Sequence, residues 1–430
     1  MEISVRLSLA VLFLFAGAPF AAACGSTCKD GSGGTVVNTG PNTQRISCSD
    51  GTSVTSNTQP PETPSQRDSG GPQADASVPE PADAQAPLGD ADASEPTDAQ
   101  EVAADGGATD PCSGSVTIRT SQDWEIFVQA GCTTISGQLS IDAPDLPTLT
   151  PPATALTSIG SLSVVGNATL TALSLPALAT AGDLSLTGND ALTGLDLPLL
   201  ATVGTTRIIS NPALTSVNMP LLKVNTGPLL FDSDTALTTL SLPILATAGT
   251  VYFNTNTALT SVNMPELATI TGDHGDLGIT GSNVALTSLS LPALTTISGV
   301  LKIGGDDAGL ISLDLPALTT VTEIEIVHSA LTTLTLPALA MSKSQVYVGD
   351  NYALTGLSFP ALTTIRSQAN FLHNTALATL AMPVLTEVDG QLTFFNNIAL
   401  KQCVVDTIHD QLTTGPSSYA SGGNATGTCP

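Results

Sequence analysis

The chain has 430 residues and a formal net charge of -26, which arises from 37 Asp and Glu residues against 11 Lys and Arg residues. Such an acidic chain repels nucleic-acid phosphates, and an aromatic content of 3% leaves few side chains for base stacking. No nucleic-acid partner is therefore expected.

Residues 1–23 have the pattern of an export signal. Arg6 precedes an apolar run from Leu7 to Phe15, which is too short for a stable membrane span. The sequence Ala21-Ala22-Ala23-Cys24 resembles a bacterial lipobox, and it also fits ordinary signal cleavage. We expect an exported lipoprotein at the bacterial outer membrane or cell surface, attached to the membrane only through a lipid on Cys24. The alternative is a secreted protein in which Cys24 is a thiol or a disulfide partner.

Two segments separate this signal from the rest of the chain. Residues 24–48 are rich in Gly, Ser and Thr and are long enough only for a small disulfide-closed hairpin. Residues 49–110 are rich in Pro, Ala, Asp, Ser and Gly, so they cannot bury enough apolar surface to offset the entropy of the chain. We predict a disordered linker there, which would hold the folded part away from a membrane.

The cysteines lie outside the repeated part of the sequence. If Cys24 carries a lipid, the remaining cysteines can pair without a leftover, and export permits disulfides. Proximity along the chain predicts three pairs, although other connectivities remain open. The predicted disulfides are Cys28–Cys48, Cys112–Cys132 and Cys403–Cys429.

A repeat extends from Asn167 toward the C-terminus and is clearest between Ser282 and Ile303. Each copy contains a marker proline at the end of a Leu-x-Leu-Pro phrase or a close variant of it. Successive marker prolines are 21 to 27 residues apart, at positions 176, 198, 220, 243, 265, 292, 316, 337, 360 and 383. A period in the low twenties indicates stacked units, each of which needs its neighbours to complete a core.

Each repeat contains two segments in which apolar and polar residues alternate. The first precedes the marker proline, as in Leu289 to Leu291, and its leucines are expected to point inward. The second begins at a glycine in most coils, as at Gly182, where we expect glycine to permit a bend. These patterns predict an all-β fold, a right-handed parallel β-helix or solenoid, with about 11–12 coils of roughly 22–24 residues across residues 142–400.

Residues 111–141 and 401–430 are predicted to close the two ends of this solenoid. The first segment contains a short capped helix around the only tryptophan, Trp124, and then the first strand. The second contains apolar residues at helical spacing between Val404 and Leu412. One of the predicted disulfides lies in each segment.

The segment from Cys132 to Ile141, Cys-Thr-Thr-Ile-Ser-Gly-Gln-Leu-Ser-Ile, resembles the entry of the receptor L domain. That domain is the ligand-binding module of insulin-receptor and EGF-receptor ectodomains, and the resemblance covers roughly Cys112 to Cys429. It implies a solenoid with a disulfide-closed cap. The Leu-x-x-Leu-x-Leu phrase also opens a leucine-rich repeat, whose second half is helical. We favour the β-helix, because the second half of each coil here has the period of a strand.

An asparagine column closes the turns of the predicted coils. A side chain that bonds to the backbone of the next coil would satisfy a buried turn, so we interpret the column as a structural ladder and a ligand contact as the alternative. Asp234, Asp307 and Ser329 substitute for asparagine in three coils. The ladder comprises Asn167, Asn189, Asn211, Asn256, Asn283, Asn351, Asn374 and Asn397.

The sequence offers few groups for catalysis or metal binding. Asp196 lies several coils from Asp314 and Glu325, which disfavours the shared carboxylate site of a polysaccharide-active β-helix enzyme. We therefore expect no enzyme activity, no metal site and no cofactor. The four histidines also lie apart in register and form no metal-ligand pattern: His274, His328, His373 and His409.

The outward residues of the second strand vary between coils, whereas those of the first strand are small. Tyr and Arg, which are enriched in binding surfaces, occur in this varied column. The alternative is that an outward column drifts in composition and binds nothing. The candidate binding face consists of Arg207, Tyr252, Lys302, Glu325, Tyr347 and Asn370.

Taken as a functional prediction, these features indicate a non-enzymatic, surface-anchored protein that binds an unknown protein or glycan, or acts in adhesion, at the cell envelope. A polysaccharide-active enzyme is one alternative, and an ice-binding protein is another. The second alternative rests on threonines four residues after most marker prolines. They are Thr180, Thr202, Thr247, Thr269, Thr296, Thr320 and Thr364, with interruptions at Val224, Met341 and Glu387.

Overall fold

The chain divides into two compact units, residues 1–99 and residues 100–430. The predicted signal peptide, Cys24, the Cys28–Cys48 pair and Asp307 lie outside the described residues. The computed structural model describes residues 35–40, 43–47, 53–57, 112–149, 152–305 and 309–429.

The described part of the first unit is a three-stranded antiparallel sheet. Its strands are Thr35–Gly40, Thr43–Ser47 and Ser53–Asn57, in chain order. The third strand lies within residues 49–110, where the sequence predicts a linker.

The second unit is a β-solenoid of about 13 turns, which confirms the predicted fold class. Strands in the segments predicted as caps, Val116–Ile118 and Ser418–Gly422, add turns beyond the repeats. One parallel sheet, the long sheet, extends through every turn in chain order. Its strands are Val116–Ile118, Thr134–Ile141, Ser158–Val165, Thr180–Thr187, Thr202–Ile209, Val224–Asp232, Thr247–Asn254, Thr269–Ile270, Leu277–Thr280, Thr296–Gly304, Thr320–Val327, Met341–Ser342, Val346–Gly349, Thr364–Ile365, Ala369–Leu372, Glu387–Val388, Gln391–Phe395 and Ser418–Gly422.

Two further parallel sheets consist of the short strands before the marker prolines. The first short sheet contains Ala172–Ser174, Gly194–Asp196, Ser216–Asn218, Thr239–Ser241 and Ser261–Asn263. The second short sheet contains Ser288–Ser290, Ser312–Asp314, Thr333–Thr335, Gly356–Ser358 and Thr379–Ala381. The break between them coincides with the irregular coil, where the marker prolines are furthest apart.

Inward side chains from all three sheets form one continuous core. Leu289 and Leu291, on either side of Ser290, are 2% and 0% exposed, as the alternation predicts. Equivalent positions in neighbouring coils stack on one another. The rings of Phe371 and Phe394, for example, stack with their centroids 5.1 Å apart. Each coil therefore buries its apolar residues only against the coils above and below it.

The role of the recurring glycine differs from the prediction. The strand of the long sheet begins at Thr180, two residues before Gly182. A side chain at Gly182 would collide with the carbonyl oxygen of Gly160 in the preceding coil. Glycine is required there because the backbones of neighbouring coils approach closely, a constraint that differs from the predicted bend.

A helix and a disulfide close the N-terminal end of the core. The helix spans Ser121–Ala130, and Thr120 caps it, because its hydroxyl accepts a bond from the Asp123 amide while the Asp123 carboxylate accepts one from the Thr120 amide. Trp124 and Phe127 are buried against the first coils. The predicted disulfide Cys112–Cys132 spans this helix.

The C-terminal end is closed in a similar way. The helix Gln402–Asp410 buries Val405 and Ile408, and the predicted disulfide Cys403–Cys429 joins its start to the end of the chain. The side-chain amide of Gln411 donates to the carbonyl oxygen of Met382 at 2.6 Å. Neither helix of the described residues is long and apolar enough to cross a membrane.

The asparagine ladder extends along one buried corner of the solenoid, and its eight asparagines are at most 1% exposed. In a typical rung, the Asn374 amide N–H donates to Asn397 Oδ1 at 3.1 Å, and Asn374 Nδ2 donates to the Val348 carbonyl at 2.9 Å. Asn424 forms a last rung that the sequence did not predict, because its Nδ2 donates to the Phe394 carbonyl at 3.2 Å. The side chains therefore connect each coil to its neighbours through bonds shielded from water.

Candidate binding face on the long sheet

The structure places the predicted face residues in one outward column of the long sheet, each in register with the next. Sequence reasoning left the irregular coil without a residue in this column, and the pairing assigns Gly278 to that position. From Arg207 onward the outward column is Arg207, Leu230, Tyr252, Gly278, Lys302, Glu325, Tyr347, Asn370 and Thr393, and it continues through Ser185 on one side and to Ala420 on the other.

The column is not uniformly accessible. Arg207 is exposed, and the side chains from Tyr252 to Tyr347 are half-buried apart from glycine. Asn370 is only 9% exposed, so its assignment to an accessible binding face is wrong. Its short amide lies in register between Tyr347 and Thr393 and donates to Gln368 Oε1 at 3.3 Å. The accessible part of the candidate face therefore ends at Tyr347.

A surface depression of about 280 Å³ lies at the irregular coil, and we call it the Tyr252 depression. Gly278 explains its position, because the ring of Tyr252 lies over this glycine, where any side chain would collide with it. Tyr252 forms one wall, and Lys302 and Glu325 form the opposite wall. The Tyr252 ring thus takes the place of the missing Gly278 side chain, and it lines the depression together with the charged pair.

Two further glycines line the same depression. Gly304 and Gly305 have φ values of +150° and +140°, a region that L-residues rarely adopt. A side chain at Gly304 would also collide with the carbonyl oxygen of Val327 in the next coil. The depression therefore exposes backbone where other coils present a side chain.

Lys302 and Glu325 form an ion pair in neighbouring coils. Lys302 Nζ donates to both carboxylate oxygens of Glu325 at 2.8 Å. The two side chains are 41% and 33% exposed, so the pair contributes little to stability and its main effect is to orient both groups. The wall opposite Tyr252 consequently carries no net charge.

Tyr347 lies one coil beyond Glu325. Its ring packs over Gly349, two residues further along the same strand. Burial raises the pKa of the Tyr347 hydroxyl, and the carboxylates of Asp350 and Glu325 act in the same direction. The hydroxyl therefore remains protonated at neutral pH and can donate as well as accept a hydrogen bond.

Residues two positions before the outward column form a second column that the sequence did not predict. Glu323 and Gln391 lie in strands of the long sheet, and Gln345 and Gln368 directly precede strands. Gln345 Nε2 donates to Glu323 Oε1 at 2.6 Å in this column. Each of its residues directly follows the Gly, Ser or Thr position at which the strand was expected to start, and only the outward position two residues later was considered as a binding face. We call it the Gln column, and it comprises Glu323, Gln345, Gln368 and Gln391.

Several carboxylates of the solenoid accept hydrogen bonds from neighbouring donors. Asp196, on the first short sheet, accepts bonds from Ser174 Oγ at 2.9 Å and from Asn218 Nδ2 at 2.6 Å. Glu323 and Glu325 lie on one strand at alternate positions and therefore face the same side of the long sheet. Within the described residues, no group of three or more His, Cys, Asp or Glu side chains is arranged to hold a metal ion.

Two of the histidines share a register, contrary to prediction. His328 and His373 occupy the left-handed corner position that precedes the ladder, and Asp350 occupies it in the coil between them. His373 Nδ1 lies 3.4 Å from Asp350 Oδ1. The corner accepts these residues because Asn, Asp and His tolerate a positive φ better than most side chains.

No protein-family model, curated protein or solved structure matches the chain.

Proposed function

We propose that the chain is a non-enzymatic, exported binding protein of the cell envelope that captures its ligand on the outer face of the long sheet. The ligand is a protein or a glycan, and membrane attachment is through a lipid on Cys24. The Tyr252 depression is the observation that carries this proposal. It lies in an outward column whose residues vary between coils, and it combines an aromatic ring with paired polar groups.

Two other observations support the proposal, one on location and one on the availability of the outer face. The disulfides Cys112–Cys132 and Cys403–Cys429 require an oxidising environment to persist. The two capped ends shield the core without a partner, so the outer face of the long sheet is available for a ligand. A receptor L-domain-like role in ligand capture is consistent with this arrangement.

No specific observation favours either alternative function, ice binding or polysaccharide hydrolysis. The threonine column is interrupted at Val224, Met341 and Glu387, and Thr364 is 7% exposed, so no continuous flat hydroxyl array faces water. A polysaccharide-active enzyme needs one carboxylic acid and one free carboxylate at the substrate. Glu325 is held by Lys302 and Glu323 is held by Gln345.

A glycan and protein array tests the proposal. The full chain is compared with a Tyr252→Ala, Tyr347→Ala double variant and with Tyr352→Ala, in which an exposed tyrosine outside the outward column is removed. We expect the double variant to lose ligands that the wild-type chain and Tyr352→Ala retain. Equal retention by all three proteins would rule out the outer face of the long sheet. Membrane attachment is tested separately by palmitate labelling, which Cys24→Ala should abolish.

A further inference from the structure

The Tyr252 depression lacks an unpaired charge. Lys302 neutralises Glu325 through two hydrogen bonds, and Asp232 Oδ1 accepts from Ser233 Oγ at 2.8 Å and from Asn254 Nδ2 at 2.9 Å. Lys302 and Glu325 are the only Asp, Glu, Lys or Arg side chains in the described lining of the depression, and they pair with each other, so the lining itself offers no unpaired charge. Asp232 is held only by neutral donors and is not part of the lining.

The remaining groups are an aromatic ring and hydrogen-bonding side chains with fixed orientations. Thr280 Oγ1 donates to Asn254 Oδ1 at 3.2 Å, and this pair lines the floor beside Tyr252. A pyranose ring has an apolar C–H face and a rim of hydroxyls, each of which both donates and accepts. The face suits the ring of Tyr252, and the hydroxyls can donate to the oxygens of planar carboxylate and amide groups and accept from amide and ammonium N–H groups.

The Gln column extends these planar groups beyond the depression. Glu323 and Gln345 lie one coil apart, with Gln368 and Gln391 in the next two coils, so planar groups recur at about 4.8 Å along the stack. This spacing is similar to the length of one sugar residue in an extended chain. Tyr347 lies beside this column and is separated from Tyr252 by four coil spacings.

A peptide fits this surface less well. Peptides bind most often as an added strand at a free sheet edge, or as a helix in an apolar groove. At the depression, the strand Thr296–Gly304 is paired on both sides, with Leu277–Thr280 and with Thr320–Val327, so it offers no free edge. The lining mixes glycine backbone and polar side chains with Tyr252, Ile303 and Val327, so it is not the uniformly apolar groove that a helix needs.

We infer that the Tyr252 depression and the Gln column bind a neutral oligosaccharide that lies along the stack. One sugar ring packs on Tyr252, and the chain continues past Lys302 and Glu325 toward Tyr347. This inference rests on the proposed binding function and adds the chemical class and the direction of the ligand.

Isothermal titration calorimetry of the full chain tests the inference with cellohexaose, xylohexaose, maltohexaose and chitohexaose as probes and hexagalacturonate as the anionic control. We expect at least one neutral hexasaccharide to bind more tightly than its disaccharide and more tightly than hexagalacturonate. Tyr252→Ala should weaken binding by about tenfold or more, because stacking on an aromatic ring is lost. Tyr252→Phe, which keeps the ring, should remain within about threefold of the wild-type affinity.

Two controls separate binding from folding. Tyr352→Ala removes an exposed tyrosine elsewhere and should leave the affinity unchanged, and circular dichroism should show the same spectrum for all variants. If no neutral hexasaccharide binds, or if Tyr252→Ala binds as tightly as the wild-type chain, the saccharide inference is overturned. A protein ligand that is lost in the Tyr252→Ala, Tyr347→Ala variant would overturn the saccharide class while leaving the proposed function intact.

Discussion

Asp234 accepts two hydrogen bonds from Asn211 through a single oxygen, Oδ1, at 2.9 Å from the amide nitrogen and 3.0 Å from Nδ2. Its other oxygen, Oδ2, is buried without a hydrogen-bond partner. In most other rungs the equivalent atom is an amide nitrogen that donates to a carbonyl of the preceding coil, as Asn256 Nδ2 donates to Phe231. By register, Oδ2 of Asp234 takes this place opposite the Ile208 carbonyl, where only a protonated carboxyl can donate.

Asp234 therefore makes stability depend on pH. Burial raises its pKa from 3.8 to about 7, although the bonds from Asn211 oppose the shift. The folded chain retains the proton between these values and the unfolded chain does not, so this contribution to stability is complete below about pH 4 and is lost as the pH rises through about 7. We expect Asp234→Asn to raise the free energy of unfolding at pH 8 by up to about 4 kcal/mol, and to have little effect at pH 4.

Urea unfolding between pH 4 and pH 8 measures this effect. The reciprocal variant Asn256→Asp places a carboxyl in the neighbouring rung and should introduce a second loss of stability over the same pH range. Parallel pH profiles for the wild-type chain and Asp234→Asn would show that Asp234 is charged in the fold, against this account.

Two glycines of one coil provide a matched pair for backbone effects. Gly188 has a φ of +67°, and a side chain added to it would meet nothing within 4 Å. Gly188→Ala should therefore lower the free energy of unfolding only by the strain of a left-handed alanine, about 1–2 kcal/mol. Gly182→Ala should cost roughly 3 kcal/mol or more, because its side chain would force Gly160 and the neighbouring coil apart. Thermal unfolding of both variants measures the difference. Equal costs would mean that the coils are less tightly stacked than described.

Thr255 occupies the same left-handed corner as Gly188 in another coil, with a φ of 54°. This conformation is costly for a β-branched residue, so Thr255→Gly should stabilise the chain by about 0.5–1 kcal/mol after the added entropy of glycine is subtracted. Thr257→Gly, at a position without positive φ, should destabilise the chain and serves as the control. A loss of stability in both variants would show that Thr255 makes compensating contacts.

The disulfide Cys403–Cys429 should stabilise one end of the solenoid more than the rest. It closes a loop of 26 residues, for which chain entropy predicts a contribution of about 3 kcal/mol. In a Cys403→Ser, Cys429→Ser variant, we expect faster hydrogen exchange in Gln391–Phe395 and Ser418–Gly422 and little change near Thr134–Ile141, because coils contact only their neighbours. Uniformly faster exchange along the whole chain would contradict this local effect.

The repeat of leucines and marker prolines was sufficient to predict the stacked parallel sheets. Positions such as Leu289 and Leu291 recur because a solenoid imposes the same environment on every coil, so local pattern and global fold agree. The ladder was predictable for the same reason, and Asn424 was missed because it follows the cap helix and lacks the surrounding repeat phrase.

The binding face was less predictable, because it depends on register across the irregular coil. An insertion there hides which residue aligns with Tyr252 and Lys302, and only strand pairing identifies Gly278. Burial of Asn370 was also hidden, since alternation distinguishes inward from outward but does not show how closely outward neighbours pack. The Gln column was missed because only one of the two outward positions of the predicted second strand was considered as a binding face.

The central claim is tested most directly by one dissociation constant, that of the Tyr252→Ala variant for the ligand that binds most tightly on the array. It is measured in solution beside the wild-type chain and the Tyr352→Ala variant. The account predicts that the constant rises by about tenfold or more for Tyr252→Ala and does not change for Tyr352→Ala. The same dissociation constant for all three proteins would contradict the assignment of the outer face of the long sheet as the binding surface.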